Sequence, residues 1–511
     1  MAKNRKTIIN LASSVIVLII NIAINLWLSP FIIKNIGVEA NGFISMANSF
    51  VTYANLIVTA LNGMASRFIT IEYAKGNYEK ANIYYNSVFW GNLIICAVLI
   101  IPSIILIVFF EIFFDVPPNI LLDVKILFSF VFLGFFLQTG APNYEAGCYV
   151  SNRLDRTYIP QAILTILRSA IIIGLFVIFV PHVWYVGLAS LFVTTSMLII
   201  NKYNTKKLTP ELKVAIKPGS IICSNRAIKD LVGSGIWNSI SSMGNILLSG
   251  LDLVVCNALL GATAMGVLSV SKIFITYMQQ LSASFTQSFA PELTIDFALG
   301  NKDNLKSNLN RSMKITGCIL SIATAGMIVF GKSFFGLWVP TQDADILSKL
   351  AILSFLGYIF TSGTQILYNV FQVTNHVKEN SIAMIISGVV SIFITILLVK
   401  FTNLGLYAIA ATSTICNFIR NMVFTLPATA KYLGYKWNSF YHMCIRTFTS
   451  TLVVGLVSFG VIQLIHITSW KIFIIDVVIV CAIGLLINIM IMLSKSDREY
   501  LFSKIKKIFH R

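Results

Sequence analysis

Charged residues are scarce in this chain of 511 residues. Asp, Glu, Lys and Arg together make up 11% of the sequence, and the acidic residues number only 20 against 38 Lys and Arg. Hydrophobic residues account for 57%, and the mean hydropathy is +0.82. A soluble domain would carry about 25% charged residues. The composition therefore excludes a water-soluble protein and makes a lipid bilayer the main solvent of the fold.

Signatures of enzymes and metal proteins are also missing. The eight cysteines stand singly, with no CxxC pair and no histidine at metal-ligand spacing, so we predict buried thiols and no metal. No P-loop and no nucleophile triad appears, and the predicted outer loops are too short to form the active site of a polysaccharide polymerase or a lipid-sugar glycosyltransferase. We therefore expect neither an enzyme nor a resident cofactor.

Long hydrophobic runs fill the chain from one end to the other. About fourteen of them are long enough, at 18 residues or more, to cross a hydrocarbon core roughly 30 Å thick. The first follows a short basic segment that resembles a signal peptide, but its apolar stretch is too long and lacks a cleavage site, so we expect it to be retained. The predicted spans are 8–33, 43–70, 86–112, 122–148, 158–180, 184–201, 230–257, 263–289, 312–335, 347–373, 381–399, 404–425, 442–465 and 472–493.

The placement of the basic residues matters more than the net charge of +18. With the amino terminus in the cytoplasm, most Lys and Arg fall in cytoplasmic segments, which is the positive-inside pattern. The pattern predicts a multi-pass protein of the bacterial cell membrane with both termini cytoplasmic, and anionic lipids as its surface partners. No soluble basic domain is present to bind nucleic acid.

An internal repeat appears when the chain is shifted by 224 positions. Residues 36–86 and 260–310 share 13 identities in 51 ungapped pairs, more than two unrelated apolar segments would share. Six spans separate equivalent positions, and because six is even, the copies have the same orientation and are parallel repeats. Gly37, Gly42, Gly261 and Gly266 bracket the first loop of each copy and are either tight turns or hinges.

The repeat predicts the domain organisation. We expect an all-α integral membrane fold with two parallel six-helix repeats and two further C-terminal helices. The predicted segments are an N-terminal lobe at 1–201, a basic cytoplasmic linker at 202–229, a C-terminal lobe at 230–427, two helices at 428–494 and a basic cytoplasmic tail at 495–511.

Polar residues follow one face of spans one, two, seven and eight. Because unsatisfied polar groups are costly in hydrocarbon, these faces are expected to turn inward, either to line a wet cleft or to form hydrogen bonds between helices. The predicted cavity-lining residues are Asn21, Asn25, Asn48, Thr52, Asn55, Asn62, Asn245, Thr276, Gln279 and Gln287.

A few ionisable residues lie inside the predicted spans, where an isolated charge costs about 2.5 kcal/mol or more. Four are cationic, namely Arg67, Arg168, Lys272 and Arg420. Arg67 and Arg420 lie near span ends, where their side chains can alternatively reach lipid phosphate. Asp252 and Glu145 are the acidic counterparts, and Asp252 either pairs with Lys272 or takes part in ion coupling. The cationic excess predicts an anionic substrate, since arginine binds phosphate oxygens through two parallel N–H groups.

The chain resembles the Wzx-like polysaccharide transport branch of the multidrug/oligosaccharidyl-lipid/polysaccharide exporter (MOP) superfamily over nearly its whole length. The residues that carry the resemblance are Leu28-Ser-Pro-Phe-Ile-Ile-Lys-Asn-Ile-Gly-Val-Glu-Ala-Asn-Gly-Phe43, Ala65-Ser-Arg-Phe-Ile-Thr70 and Lys75-Gly-Asn-Tyr78. The resemblance implies a V-shaped bundle like that of multidrug and toxin extrusion (MATE) transporters. It also implies a flippase that moves a polyprenyl-pyrophosphate-linked oligosaccharide by alternating access, for capsule or O-antigen assembly, with Arg67 and Arg168 holding the pyrophosphate.

Two further implications concern partners and the alternative function. A flippase of this kind would hand its product to polysaccharide polymerase machinery, and transport would be driven by proton or sodium coupling or by the membrane potential. The alternative is a cation-coupled multidrug exporter of the MATE type, to which Asp252 would contribute. Span one lacks the acidic residue that drug-exporting relatives use for cation coupling, which favours the flippase.

Overall fold

The computed structural model describes residues 2–62, 65–151, 153–215, 224–465, 467–494 and 497–499. Every regular element in these residues is helical. The α-helices are α1 (Ala2–Ile36), α2 (Val38–Asn62), α3 (Ala65–Ala74), α4 (Tyr78–Val108), α5 (Phe110–Phe113), α6 (Leu121–Gly140), α7 (Glu145–Val150), α8 (Asp155–Ile178), α9 (Trp184–Leu208), α10 (Asn225–Asn245), α11 (Asp252–Leu260), α12 (Ala262–Ser271), α13 (Ile273–Ala298), α14 (Lys302–Trp338), α15 (Ala344–Thr361), α16 (Tyr368–Val373), α17 (Val377–Phe401), α18 (Leu406–Arg420), α19 (Leu426–Tyr432), α20 (Tyr441–Leu464) and α21 (Trp470–Met492).

Helices long and apolar enough to span a membrane number twelve within the described residues, and the all-α membrane fold is confirmed. The other two predicted spans, 263–289 and 404–425, are also helical, as α12 with α13 and as α18. Their hydropathy is lower because glutamine, asparagine, serine and threonine interrupt the apolar sequence. The two least apolar spans thus include several of the predicted site residues.

The helix boundaries repeat with the offset found in the sequence. Gly37 and Gly261, between α1 and α2 and between α11 and α12, have φ of 90° and 91°. These left-handed values favour glycine because it has no Cβ, so both glycines make tight turns. At the next helix boundary that the two copies share, an asparagine side chain caps the helix that follows. Asn77 caps α4, and Asn301 caps α14. The same local signals therefore produce the same helix ends in both copies.

The described chain packs into two compact units. The first contains the described residues up to Met243 and those of Leu253–Gly266. In it, α8 packs against α1 and α9, and α6 packs against α9. The apolar contact between α1 and α8 is made by buried residues such as Leu28, Ile32 and Ile172.

Two asparagines of α4 hold the start of the predicted linker within the first unit. Asn82 Nδ2 donates to the Glu211 carbonyl at 2.8 Å, and its Oδ1 accepts from the Lys213 amide at 2.8 Å. Asn86 makes the same pair of bonds one turn later, to the Lys213 carbonyl and the Ala215 amide. Four backbone groups of the segment 211–215 are therefore satisfied by side chains of α4.

The second unit contains Gly244–Asp252 and the described residues from Val267 onwards. In it, α14 packs against α15, α20 and α21, while α18 packs against α15 and α17. Two helical segments of the unit are wider than an α-helix, namely the π-helical turns Ile246–Gly250 and Asn421–Thr425. Turns of this kind occur frequently at functional sites.

The two units do not coincide with the predicted lobes at 1–201 and 230–427. Residues 253–266 belong to the first unit because α12 lies directly on the start of α2. A Cβ placed on Gly266 would lie 2.5 Å from the Val38 carbonyl oxygen, and one on Gly42 would lie 2.9 Å from Gly266 Cα. Thr263 Oγ1 also donates to Glu39 Oε1 at 2.9 Å. The unit boundary differs from the predicted lobe boundary because the backbones of α2 and α12 approach each other closely. Sequence periodicity does not reveal such an approach.

Two predicted boundaries differ in detail. The span predicted at 122–148 ends at Gly140, because Pro142 favours an extended conformation at Ala141, whose ψ is 152°. Asp476, near the start of the predicted span 472–493, lies inside α21 with no exposed surface. Within the predicted linker, residues 216–223 lie outside the described residues, and the same holds for most of the predicted basic tail.

Candidate functional site

Arg420 is the last residue of α18 and lies just before the π-helical turn Asn421–Thr425. Only 5% of the residue is exposed. Its Nη2 donates to Asn417 Oδ1 at 2.7 Å and also to the Tyr368 hydroxyl. The Tyr368 hydroxyl in turn donates to Asn421 Oδ1 at 2.7 Å. The guanidinium thus lies in a small network of neutral side chains.

Arg420 has no carboxylate partner among the described residues. Its Nε and Nη1 are fully buried and form no hydrogen bond, and none of the ion pairs of the described chain includes it. The positive charge is therefore buried with unused donors. A guanidinium with free N–H groups is suited to binding the oxygens of a phosphate or carboxylate.

Arg168 repeats this situation in the first unit. It lies near the middle of α8, a helix of 24 residues, and is half-buried. Its Nε is buried without a hydrogen-bond partner in the described part of the chain. Within the described residues, each unit therefore contains an arginine with a buried N–H group that forms no hydrogen bond.

Lys272 differs from the two arginines because its charge is compensated. It forms an ion pair with Asp252, and its Nζ lies 3.4 Å from the Ser249 carbonyl oxygen. Ser413 Oγ donates to the same carboxylate at 3.3 Å. Of the two roles that we predicted for Asp252, the structure contains the charge pair. Lys272 accordingly contributes little free positive charge to the interior.

The predicted polar residues of α2 and α13 are mostly exposed. Asn48, Thr52 and Asn55 on α2 are exposed, as are Thr276 and Gln279 on α13. The hydroxyls of both threonines donate to carbonyls of their own helix, four residues earlier. The amide groups of Asn48, Asn55 and Gln279 lie on exposed positions of the same two helices.

The remaining lining residues fall into two groups. Asn245 and Gln287 are exposed, whereas Asn21, Asn25 and Asn62 are half-buried. Asn62 Oδ1 accepts a hydrogen bond from Asn92 of α4 at 3.2 Å, so Asn62 serves helix packing. For Asn62 the hydrogen-bonding alternative that we left open is the one present.

Arg67 and Glu145 are both exposed. Arg67 lies on α3 and Glu145 begins the short helix α7. Sequence reasoning missed Tyr368, Asn417 and Asn421 as partners of Arg420. Asn417 and Asn421 lie three residues before and one residue after Arg420 in an apolar span, and this spacing could have identified them from the sequence. Nothing in the sequence marked Tyr368.

Comparison with known proteins assigns the fold. No protein-family model matches the chain. Over 506 residues it is 26% identical to the uncharacterized membrane protein EpsK of Bacillus subtilis (strain 168), with 98% of each chain covered. An inward-facing multidrug resistance MATE family transporter of the MOP superfamily matches with a TM-score of 0.61 at 15% identity, covering 84% of this chain and 98% of that one.

The lipid II flippase MurJ, in an inward closed conformation, matches with a TM-score of 0.59 at 16% identity, and the match covers 94% of this chain and 98% of the flippase. The chain is therefore a multi-pass membrane protein with the helical fold of MOP superfamily transporters.

Proposed function

We propose that this chain is a flippase for a lipid-linked oligosaccharide. The cargo is a polyprenyl-pyrophosphate-linked repeat unit, which passes from the inner to the outer leaflet by alternating access and is used for capsule, O-antigen or related cell-surface polysaccharide. The proposal makes the chain a transporter rather than an enzyme, located in the bacterial cell membrane with both termini in the cytoplasm.

The observation that carries the proposal is the buried, unpaired guanidinium of Arg420. An uncompensated charge inside a membrane protein costs about 2.5 kcal/mol or more, and Arg420 meets only neutral partners among the described residues. An anionic ligand would offset this cost and satisfy Nε and Nη1. Arg168 supports the same conclusion for the first unit, because its Nε is also unsatisfied.

The exposed amides of α2, α10 and α13 support a sugar-bearing head group. Asn48, Asn55, Asn245 and Gln279 each offer both N–H donors and a carbonyl acceptor. Sugar hydroxyls also donate and accept, so rows of amides suit them better than they suit an apolar cation.

The structural comparisons are consistent with this cargo. The match to the lipid II flippase extends over 94% of the chain and the match to the multidrug transporter over 84%. The two helices that follow the repeat, α20 and α21, contain 24 and 23 residues. Together they make up a fraction of the chain similar to the difference between the two covered shares.

The alternative is a cation-coupled multidrug exporter. The buried pair of Asp252 and Lys272 favours it, since a carboxylate inside a transporter can exchange a lysine partner for a proton or sodium ion. In either case the coupling ion and the interaction with a polysaccharide polymerase remain proposals.

The test begins with deletion of the gene and an assay of the leaflet on which lipid-linked sugar accumulates. Inner-leaflet accumulation, restored by the wild-type chain, is expected. Arg420→Gln should reduce restoration at least tenfold, since losing one partner of a buried charged contact costs about 2 kcal/mol or more, and Arg420→Lys should restore part of it. Arg446→Gln, at an exposed position of α20, is the matched control and should behave as wild type.

Two outcomes would contradict the proposal. Surface polysaccharide could remain normal in the deletion strain, or Arg420→Gln could transport sugar lipid normally while Lys272→Ala abolishes efflux of a cationic dye. The second outcome would establish the multidrug alternative. Protein amounts in the membrane must be equal for all variants.

A further inference from the structure

Helix α21 has a buried stripe with a residue every four positions. The stripe consists of Asp476, Val480, Gly484, Asn488 and Met492. Because residues four apart lie on one helical face, the stripe is the surface by which α21 packs against α14 and α20. Two residues of the stripe, Asp476 and Asn488, are polar, and they differ in their hydrogen bonding.

Asn488 has all of its main hydrogen-bonding groups satisfied. Its Nδ2 donates to the Cys318 carbonyl and to Ser321 Oγ, both at 2.8 Å. Its Oδ1 accepts from Ser450 Oγ at 2.6 Å. Asn488 thus joins α21 to both neighbouring helices, as polar residues in membrane bundles commonly do.

Asp476, three helical turns away on the same stripe, has no such partners. The residue has no exposed surface, and neither carboxylate oxygen forms a hydrogen bond within the described residues. It is the seventh residue of α21, about 9 Å from the helix start at roughly 1.5 Å per residue. Asp476 therefore lies about two turns from the start of α21, on the buried face of the helix.

The elements around Asp476 contain few charged groups, and the hydroxyl of the buried Ser458 on α20 donates to the Val454 carbonyl of its own helix. On α14 the nearby segment 325–338 contains one charged residue, Lys332, which is 70% exposed at the side chain and pairs with Asp345. Residues 450–464 of α20 contain no titratable group. On α21 itself, Lys471 is exposed, and Phe473 packs against Phe330 with ring centroids 6.2 Å apart. Cys481, also exposed, is the other titratable group of this helix.

We propose that Asp476 is a proton-binding site: its side chain is held as a neutral carboxylic acid at neutral pH while α21 is packed on α14 and α20. Burial without a cationic or hydrogen-bonding partner disfavours the carboxylate and leaves the protonated form as the stable one. The proton is released only when α21 separates from its neighbours, so proton binding is coupled to the packing of these three helices.

Proton binding at Asp476 does not depend on which cargo the protein transports. Asp476 lies outside both repeats and is not among the residues that we assign to the substrate. It also differs from Asp252, whose carboxylate is paired with Lys272 and bonded by Ser413. The two aspartates, one unpaired and one paired, therefore provide a matched comparison inside one protein.

The experiment is infrared spectroscopy of the purified full-length protein in detergent at pH 7. The wild type should have a C=O stretching band of a protonated carboxyl group that disappears in Asp476→Asn and persists in Asp252→Asn. In a second measurement, dicyclohexylcarbodiimide, which reacts with protonated carboxyl groups in apolar surroundings, should label Asp476 and leave Asp252 unlabelled, as read by peptide mass spectrometry.

The outcomes separate the alternatives. The proposal is supported if the band is lost in Asp476→Asn and kept in Asp252→Asn. This holds whether or not dicyclohexylcarbodiimide reaches Asp476. If the wild type has no such band, or if the band persists in Asp476→Asn, the proposal is wrong. A thermal midpoint that depends on sodium in the wild type but not in Asp476→Asn would also overturn it, because the carboxylate would then be ionised and balanced by a cation.

Discussion

Removing one partner of the pair between Asp252 and Lys272 should be more damaging than removing both. In Lys272→Met the carboxylate of Asp252, a residue 9% exposed, keeps only the neutral donor Ser413 at 3.3 Å. Breaking a buried ion pair in this way costs about 3–5 kcal/mol. In the double variant Asp252→Asn/Lys272→Met no charge remains, and the asparagine retains an oxygen for Ser413.

The double variant should therefore lose only about 1 kcal/mol, comparable with a volume-conserving exchange in a core. Asp252→Asn alone leaves Lys272 with the Ser249 carbonyl oxygen at 3.4 Å and should give an intermediate loss. The resulting coupling energy exceeds about 3 kcal/mol, the upper end for neighbouring residues.

Unfolding in mixed micelles with increasing dodecyl sulfate gives the free energies for this cycle. Lys332→Met is the matched control, since Lys332 is 70% exposed at the side chain and its removal should change stability little. If the loss in the double variant equals the sum of the single losses to within about 0.5 kcal/mol, the two side chains are not coupled and the reasoning is refuted.

Three further predictions concern packing and pH. Asn488→Ala removes three hydrogen bonds between helices and should lower the unfolding free energy by about 2 kcal/mol, measured in the same titration. Burial raises the pKa of Asp497, but hydrogen bonds from Lys314 and Ser494 outweigh the effect of burial and lower the pKa to about 2. The stabilisation, about 2 kcal/mol, is therefore complete above pH ~4 and is lost as the pH falls towards about 2, which thermal midpoints against pH should reveal. Gly266→Ala places a Cβ 2.5 Å from a carbonyl oxygen and should cost about 1–3 kcal/mol.

Each of these predictions has its own control. Asp497→Asn should lack the pH-dependent step between about 4 and 2, and an unchanged step would assign it to other groups. Gly455→Ala, whose Cβ would meet nothing within 4 Å, should leave stability equal or slightly higher, because alanine favours the helix. Equal stability of Asn488→Ala and wild type would mean that the hydrogen bonds seen at Asn488 contribute nothing.

The helical part of the fold follows from local sequence patterns. Apolar runs of membrane length predict the spans, and the offset of 224 predicts the paired breaks at Gly37 and Gly261, which have nearly equal positive φ. These features depend on residues close together in sequence, so a linear pattern contains them. The predicted lobe boundary differs from the unit boundary because the approach of Gly266 to Val38 depends on residues far apart.

The candidate site was predictable as a set of residues but not as an arrangement. The sequence placed Arg168, Lys272 and Arg420 inside spans, and their rarity there marked them as functional candidates. Which of these charges is compensated depends on side chains from other helices. Asp252 lies 20 positions from Lys272, and Ser413 lies 161 positions from Asp252.

By itself the sequence determined the solvent of this protein, its helical spans and its internal repeat, because composition and periodicity act through the bilayer on each segment separately. The cationic sign of the interior stays a prediction. Within the part of the chain that the structure describes, the tertiary structure decided that Lys272 is neutralised while Arg420 is not, and that Asn488 is hydrogen-bonded while the carboxylate of Asp476 is not. These differences arise because burial and pairing depend on which helices meet, and helices that meet can be far apart along the chain.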